Sequence, residues 1–422
     1  MNFMDLFQGI GTLVEHFQTA PVIAFGRLAL IVLGVLLVYL GNKRVLEPLI
    51  MVPMGFGMVA INAGMMFSFA INLDGNPRNT LDLTNIMINT GADDAAAAST
   101  TGLMNIMQID FLQPIYTLTF SNGLIACLVF MGIGVITDIS PVLKYPFTSM
   151  LIALFAELGT ILTFPIAIAM GFGPGEAASA AIIGTADGPM VLFASLRLAP
   201  DLFVPLTIIA YLYLSICYGV YPFLVKLLVP KHLRAQAIAL QKKDQATISP
   251  KAKLMFDIIA CTVLCLLFPV AAPLFLSFFL GNGIKEILVK NYTELLEKVF
   301  LYTATFFLGL LLGILCDANT LLGNEKVLKL LILGFAALLL AAVGGIIGGY
   351  VVYMINKKKF NPTIGVAGVS CIPTTAKVAQ HAVTEANKSA FVLQYALGAS
   401  VCGVITSAIL TGIYVTVVLP LL

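Results

Sequence analysis

The stretch Ile183–Met190, which reads IGTADGPM, places a carboxylate among residues that disrupt helices. Asp187 is followed directly by Gly188 and Pro189, and the chain around them is strongly apolar. Inside a bilayer, an interrupted backbone and a charge are each costly, and both are tolerated only within protein or beside a watery cavity. The stretch therefore predicts a broken membrane segment with an ion site at Asp187.

The composition of the whole chain is that of a multi-pass membrane protein. Of its 422 residues, 59% are hydrophobic and 10% are charged, whereas a soluble domain is about 25% charged. We therefore predict an all-α, polytopic protein in a lipid bilayer. The formal net charge of +2 gives no indication of a nucleic-acid partner.

The N-terminal region is expected to combine a surface helix, membrane spans and a polar loop. Residues 1–20 carry apolar side chains at helical spacing, which is typical of an amphipathic helix in the membrane interface. Residues 21–110 are predicted to hold the first spans, with Arg27 either turned inwards or reaching the interface. A polar stretch at 71–108 is expected to be an extracytoplasmic loop.

The first half of the core, residues 111–229, is predicted to contain spans on both sides of a broken segment near 173–190. Two ordinary spans are expected at 111–137 and 147–172, and a long apolar segment follows at 202–229.

A basic loop at 230–254 divides the chain and is expected to be cytoplasmic by the positive-inside rule. Lys357–Lys359 marks a second cytoplasmic end. Two cytoplasmic ends require an even number of spans between them, yet the hydropathy pattern gives three. One of these three must therefore be re-entrant or wrongly assigned.

The second half of the core, residues 255–422, is predicted to hold a broken segment near 361–377 and a last span at 389–418. Before them we expect spans at 255–280, near 299–316 and at 329–355, with a short interfacial helix at 284–298. In the third of these spans, Gly344, Gly345, Gly348 and Gly349 form two small-xxx-small pairs that favour close helix packing.

An internal repeat relates the two broken segments. A shift of 184 residues aligns Gly184 with Gly368, Pro189 with Pro373, Tyr211 with Tyr395 and Gly219 with Gly403. Such matches also arise by chance in a glycine-rich chain, but the order of apolar and polar segments agrees as well. Paired broken segments indicate the binding site of an inverted-repeat transporter, and their exposed carbonyls, hydroxyls and one carboxylate suit Na⁺.

Each candidate residue also has a structural interpretation. Asp187 and Asn361 are each suited to capping a helix, and Tyr213 is of a type that is usually structural in membrane proteins. Ser370 is small enough to serve close packing, and Lys377 could extend its charge to the membrane surface. Against this, an ionisable residue at membrane depth indicates function by default.

Glu157 lies inside an apolar predicted span. It is interpreted either as a residue of a transport pathway or as an ion-pair partner for Arg27 or Lys226. Composition and pattern alone reach as far as a cation-coupled membrane transporter with paired broken segments.

At these residues the chain resembles a known family, the β subunits of the biotin-dependent sodium-translocating decarboxylases that act on oxaloacetate, methylmalonyl-CoA, glutaconyl-CoA and malonate. The stretches that carry the resemblance are Gly184–Pro189, the span with Tyr211 and Tyr213, Asn361–Ser370 and Ala396–Ile405. The resemblance runs from about residue 20 to the C-terminus, and Asn361–Ser370 is its most specific part.

The resemblance implies a membrane subunit that decarboxylates carboxybiotin, consumes a proton and exports Na⁺. It implies several partners: a biotin carrier protein that holds the biotin, a carboxyltransferase α subunit, a small membrane-anchor subunit and further copies of the β subunit. It also implies a bacterial inner membrane as the location. The main alternative is a secondary Na⁺- or H⁺-coupled carrier of an organic anion without biotin chemistry.

The resemblance also assigns roles to individual residues. Those expected to be catalytic are Asp187, Tyr213 and Lys377. Those expected to bind carboxybiotin are Asn361, Gly365, Ser370 and Lys377. Those expected to bind Na⁺ are Asp187, Asn361, Ser370 and Ser400.

Three positions depart from the family pattern. Lys377 stands where the oxaloacetate enzymes have arginine, Ser400 where asparagine is common and Thr185 where glycine is common. These departures favour an acyl-CoA decarboxylase over an oxaloacetate decarboxylase.

Overall fold

The computed structural model describes residues 8–64, 112–120, 122–238, 247–322 and 325–422. Within these residues the regular structure is entirely helical, as the composition predicts. The polar loop expected at 71–108, the start of the surface helix and the centre of the basic loop lie outside the described residues.

The longer helices are numbered here in chain order. They are α1 (Gln8–Thr19), α2 (Pro21–Asn42), α3 (Pro48–Gly64), α4 (Leu124–Ile136), α5 (Pro146–Ala156), α6 (Leu158–Ala169), α7 (Pro174–Ile182), α8 (Gly188–Leu198), α9 (Phe203–Leu228), α10 (Pro250–Leu267), α11 (Ala272–Glu286), α12 (Leu301–Leu315), α13 (Lys326–Ile355), α14 (Thr374–Ala386) and α15 (Leu393–Val418).

Among the described residues, five helical stretches are long and apolar enough to cross a membrane. They are Pro21–Asn42, Pro146–Ala169, Lys290–Leu315, Lys326–Ile355 and Leu393–Leu421. A sixth candidate is the segment around α9, whose halves Pro200–Leu214 and Gly219–Leu228 are bent by 62°. The chain is therefore a multi-pass membrane protein.

The N-terminal helices agree with the sequence-based expectation where they are described. α1 exposes Ile10, Val14 and Phe17 at helical spacing, so it has the apolar face of an amphipathic helix. Arg27 is fully buried and its Nε donates a hydrogen bond to Asn62 O at 2.9 Å. This confirms the inward contact and excludes a side chain that reaches the interface.

The predicted spans between the basic loop and Lys357–Lys359 need correction. The span expected at 255–280 is wrong, because the helix breaks at Phe268, just before Pro269, and gives α10 and α11. The interfacial helix expected at 284–298 is also wrong, because from Lys290 onwards the chain is one helical stretch that continues into α12. Four helical segments thus lie between the basic loop and Lys357–Lys359, and two of them, Lys290–Leu315 and Lys326–Ile355, are long and apolar enough to cross a membrane. The cytoplasmic position of both ends stays a prediction.

The buried residues form two clusters. One contains side chains of α2, α3, α4 and α12. The larger one contains both broken segments together with α5, α6, α9, α13, α14 and α15. The broken backbone is thus enclosed by helices and shielded from lipid, as the hydrogen-bonding requirement of a membrane interior demands.

The glycines of α13 make this enclosure possible. Gly344 and Gly348 lie against the backbone or side chains of α5, whereas Gly345 and Gly349 lie against the second broken segment at Gly365. A Cβ atom at any of these positions would overlap its neighbour. The predicted close packing is confirmed, and one helix face holds the second break in place.

Candidate ion site where the two broken segments meet

At the first break, the α-helical hydrogen bonding is interrupted between α7 and α8. α7 ends at Ile182, a single 3₁₀ turn follows at Ile183–Thr185, and Ala186 adopts a left-handed conformation with φ of 53°. Left-handed backbone is unfavourable for alanine, so the surrounding packing must hold this turn. It places Asp187 at the N-cap position of α8, where the side chain makes no capping hydrogen bond.

Thr185 stabilises this turn with its side chain. Its hydroxyl donates to Ile182 O at 2.8 Å and accepts from Asp187 N at 3.2 Å. The carbonyl oxygen of Thr185 is left to point away from α7, and this oxygen is used by the second break.

The second break consists of a 3₁₀ segment, an extended stretch and α14. Asn361 caps the 3₁₀ segment Pro362–Gly368 by accepting from Thr363 N at 3.0 Å. Val369 is extended, and α14 begins at Thr374. In both breaks a 3₁₀ segment is followed by non-helical residues, which include an extended one, and then by a helix, in agreement with the predicted repeat.

The two breaks contact each other at Ser370 and Asp187. Ser370 Oγ lies 3.0 Å from Thr185 O and 3.2 Å from Asp187 Oδ2. Ser370 N also donates to Thr185 O at 3.3 Å. Residues 183 positions apart in sequence thus form one compact group of oxygen atoms.

This group of oxygens has more acceptors than protons. The Ser370 hydroxyl has one proton but two acceptors within reach, the Thr185 carbonyl and the Asp187 carboxylate. Asp187 Oδ1 is buried and has no hydrogen-bond partner among the described residues. A buried carboxylate oxygen without a hydrogen bond is costly unless a proton or a cation compensates the charge. The arrangement therefore suits a small cation that prefers oxygen ligands.

Tyr211 provides a further polar atom beside this group. Its ring packs directly against Gly188, the residue after Asp187, at a distance that leaves no room for a Cβ. Tyr211 is 1% exposed, and its hydroxyl has no hydrogen-bond partner among the described residues. The glycine at this position is therefore required by the tyrosine ring next to it.

Tyr213, which the resemblance marks as catalytic, lies elsewhere. Its hydroxyl donates to Leu331 O of α13 at 2.6 Å, on a different side of α9 from Tyr211. Residues two apart in an α-helix differ by about 200° around its axis, so Tyr211 and Tyr213 cannot face the same group. The structure brings Tyr211, and not Tyr213, to Asp187.

Asn361 caps the 3₁₀ segment of the second break, and Gly365 within that segment packs against α13. Asn361 Nδ2 donates to Arg234 O and Gln236 O at 3.1 and 2.8 Å, so its amide is occupied by the start of the basic loop. Its Oδ1 accepts from Thr363 N at 3.0 Å, so both polar groups of the side chain hold the backbone of the second break and of the basic loop. That Asn361 and Ser370 bind the same Na⁺ stays a prediction.

Ser400 lies next to the second break from α15. Its Oγ is 3.3 Å from Thr375 Oγ1, which in turn lies 3.0 Å from Val369 O. Ser400 is fully buried. It therefore supports the backbone beside Ser370 through Thr375.

Lys377 belongs to a polar face of α14. Lys377, His381 and Glu385 follow each other at intervals of four residues and are all exposed. At its C-terminal end, α14 contacts the end of α9 and the start of the basic loop, because Glu385 pairs with Lys226 at 2.8 Å and Asn387 Nδ2 donates to Ala235 O at 2.9 Å. A strip of polar side chains therefore runs from the basic loop towards the second break.

Glu157 has neither of the expected ion-pair partners. Lys226 pairs with Glu385, and Arg27 contacts Asn62 on α3. Glu157 is instead buried at the junction of α5 and α6, surrounded by hydroxyl groups. The proposed pairing with either cation is wrong.

Sequence reasoning missed the part that Thr185 and Tyr211 play in the geometry of the site. Both were noted, Thr185 as a departure from the family pattern and Tyr211 as a repeat match. A signal for Tyr211 existed in Gly188, since a glycine in the first turn of a helix indicates close approach of another group.

These features define a class: an all-helical, multi-pass membrane protein in which two broken segments meet at a buried carboxylate. Residues 26–418 match the family of the Na⁺-transporting oxaloacetate decarboxylase beta subunit. The chain therefore belongs to the β-subunit family of the sodium-translocating decarboxylases.

Individual relatives align with this chain along nearly their whole length. The chain is 52% identical over 415 residues to the carboxybiotin decarboxylase of Malonomonas rubra, covering 98% of each protein. It is 30% identical over 439 residues to the oxaloacetate decarboxylase beta chain of Haemophilus ducreyi, again covering 98% of each. It is 29% identical over 388 residues to the methylmalonyl-CoA decarboxylase subunit beta of Veillonella parvula, covering 92% of each.

Proposed function

We propose that this chain removes the carboxyl group from carboxybiotin and uses the free energy released to move Na⁺ out of the cytoplasm. The observation that carries the proposal is the contact between Ser370 and Asp187, which builds an oxygen-lined site from both broken segments. Membership of the family supports the decarboxylase part, and the relative from Malonomonas rubra is named for this reaction.

Asp187 binds Na⁺ and H⁺ in competition. Asp187 is 7% exposed, and one oxygen of its carboxylate has no partner among the described residues. Na⁺ beside the carboxylate favours the ionised form, and protonation favours release of the ion. Consumption of a proton in the decarboxylation is thereby tied to movement of Na⁺.

Lys377 holds the carboxyl group of carboxybiotin before it is lost. When the bond between the carboxyl carbon and the ureido nitrogen breaks, CO₂ leaves and the bonding electrons remain on the nitrogen, which then takes up a proton. Lys377 is exposed on the polar face of α14, and an ammonium group can attract the carboxylate as a point charge. The strip that continues through His381 and Glu385 gives carboxybiotin access from the cytoplasmic side.

The biotin is carried by a partner subunit and is a substrate of this chain. A biotin carrier protein, a carboxyltransferase α subunit, a small membrane-anchor subunit and further β subunits complete the complex in the bacterial inner membrane. The departures at Lys377 and Ser400 favour an acyl-CoA thioester over oxaloacetate as the original carboxyl donor. Comparing the rates with methylmalonyl-CoA, malonate and oxaloacetate in the purified complex tests this choice.

The decisive experiment uses the complete complex in proteoliposomes. The wild type should release CO₂ in a reaction that Na⁺ stimulates and avidin inhibits, with accumulation of ²²Na⁺. Asp187→Asn should abolish both CO₂ release and Na⁺ transport. Asp201→Asn is the matched control, since Asp201 is exposed on the turn before α9 and should leave both unchanged.

Normal Na⁺-dependent decarboxylation by Asp187→Asn would refute the assignment of the ion site. Na⁺-coupled uptake of an organic anion that avidin does not affect would instead favour the secondary carrier.

A further inference from the structure

The start of the basic loop is tied to the second break by one side-chain amide. Asn361 Nδ2 donates to Arg234 O at 3.1 Å and to Gln236 O at 2.8 Å. An amide nitrogen carries two protons, so these two bonds use both of them. The side-chain oxygen accepts from Thr363 N at 3.0 Å, and because a backbone N–H can only donate, this bond fixes which end of the amide is the nitrogen. In this arrangement Asn361 has no proton left for a further acceptor.

Two further hydrogen bonds hold the same part of the loop, residues 234–236, which we call the strap. Asn387, directly after α14, donates through Nδ2 to Ala235 O at 2.9 Å. Gln236 Nε2 donates to Lys358 O, beyond the end of α13, at 2.6 Å. The strap is thus anchored to the ends of α13 and α14 as well as to the cap of the second break.

The strap presents to Asn361 the same kind of atom that a carboxylated ligand presents. Carbonyl and carboxylate oxygens both accept hydrogen bonds, and an ionised carboxylate only accepts them. For Asn361 to donate to an oxygen of carboxybiotin, it must therefore give up a bond to Arg234 O or Gln236 O. The strap and the ligand compete for the same two protons.

We propose that the strap is a built-in competitor of carboxybiotin, which occupies Asn361 while the site is empty and is displaced when the ligand binds. The inference rests on the proposed function and on the prediction that Asn361 binds carboxybiotin, and it adds a regulatory contact to that site. Only the fraction of molecules with an open strap can then bind through Asn361, and the apparent affinity for carboxybiotin is reduced by that fraction.

The anchors away from Asn361 make this competition measurable. Asn387 and Gln236 hold the strap closed, and neither is assigned to the ion site or to the binding of carboxybiotin. Weakening either anchor shifts the strap towards the open form, so the affinity for carboxybiotin should increase. Damage to the fold acts in the opposite direction, because it lowers the affinity or the maximal rate. The sign of the change therefore distinguishes a competitor from a structural support.

The test measures CO₂ release from added radiolabelled carboxybiotin by the complete complex at saturating Na⁺. Asn387→Ala removes one neutral hydrogen bond from the closed strap. It should lower the KM for carboxybiotin about fivefold, the equivalent of about 1 kcal/mol, without lowering kcat. Gln236→Ala removes the bond to Lys358 O and should lower KM in the same way. An unchanged or raised KM in the variants that assemble would overturn the proposal.

Asn356→Ala is the matched control for Asn387→Ala. Asn356 is the C-cap residue of α13, as Asn387 is of α14, but its Nδ2 donates to Val352 O of its own helix at 2.9 Å. Its loss leaves the anchors of the strap intact, so KM should stay at the wild-type value. An equal fall in KM for both variants would show that the effect does not come from the strap.

Hydrogen–deuterium exchange on the wild-type complex tests the displacement directly and needs no variant. The backbone N–H groups of the strap donate to three carbonyls of the preceding turn, those of Pro230, Lys231 and Leu233, which slows their exchange. Carboxybiotin, added without Na⁺ so that it is not consumed, should accelerate exchange in the strap. Unchanged exchange would overturn the proposal.

The two proposals fail in different ways. If the wild-type complex does not release CO₂ from carboxybiotin in a Na⁺-dependent reaction, the proposed function fails. If it does, but exchange in the strap and the KM of both anchor variants stay at their starting values, only the strap fails.

Discussion

Replacing Ser370 by alanine removes the hydroxyl that joins the two broken segments. This hydroxyl lies 3.0 Å from Thr185 O and 3.2 Å from Asp187 Oδ2. The backbone contact persists in the variant, because Ser370 N donates to Thr185 O at 3.3 Å. The substitution therefore removes an ion ligand while the two breaks remain in contact.

The expected loss follows from the chemistry of the removed oxygen. A hydrogen bond or ligand contact to a charged group contributes about 1.5–3 kcal/mol, which corresponds to a roughly 10- to 150-fold weaker affinity for Na⁺. The Na⁺ concentration that gives half-maximal decarboxylation should rise by that factor in Ser370→Ala. The measurement is CO₂ release by the complete complex across a series of NaCl concentrations at constant ionic strength.

Ser195→Ala is the control for the same chemical change. Ser195 is also fully buried, but its hydroxyl bonds to Val191 O of its own helix at 2.7 Å. This variant should keep the wild-type Na⁺ dependence. A Ser370→Ala complex with an unchanged Na⁺ dependence would refute the idea that the meeting of the two breaks forms the ion site.

Three further predictions concern packing, substrate and pH. Gly188→Ala should abolish Na⁺-dependent decarboxylation, because its methyl group would overlap the Tyr211 ring; an active variant would show that the ring can move. Lys377→Ala should lose activity and Lys377→Arg should retain much of it in the same assay, whereas an active alanine variant would indicate that Lys377 only extends its charge to the membrane surface. Partial burial acts to raise the pKa of Asp138, but its hydrogen bonds, including that from Lys253 at 3.0 Å, outweigh this and lower the pKa. The stability this provides is present above the ordinary aspartate pKa of about 4 and is lost as pH falls through the lowered pKa. Because the Asp138 side chain is half exposed, it amounts to less than about 1 kcal/mol. Asp138→Asn should remove that acid dependence from thermal unfolding curves, and unchanged curves would contradict it.

The sequence by itself determined the class of protein and the location of both breaks. Apolar runs, glycines and prolines act on their own neighbourhood, so the interrupted segments near 173–190 and 361–377 could be predicted from local pattern. The prediction from local pattern was wrong at 255–280, because the composition is apolar throughout and gave no indication of the break before Pro269. The glycines of α13 indicated close packing, but only the fold shows that one pair faces α5 and the other faces Gly365.

Which oxygens meet was decided only by the tertiary structure. Ser370 and Asp187 are 183 positions apart, and no local pattern fixes a contact over that separation. Tyr211 and Tyr213 are close in sequence and the resemblance selects Tyr213, yet the helical rotation between them takes Tyr211 to the residue next to Asp187 and Tyr213 to Leu331. In the same way Glu157, expected to pair with a cation of the chain, is surrounded by hydroxyls because α15 packs against it. The local sequence thus indicates which residues can bind an ion, and long-range packing determines which of them come together.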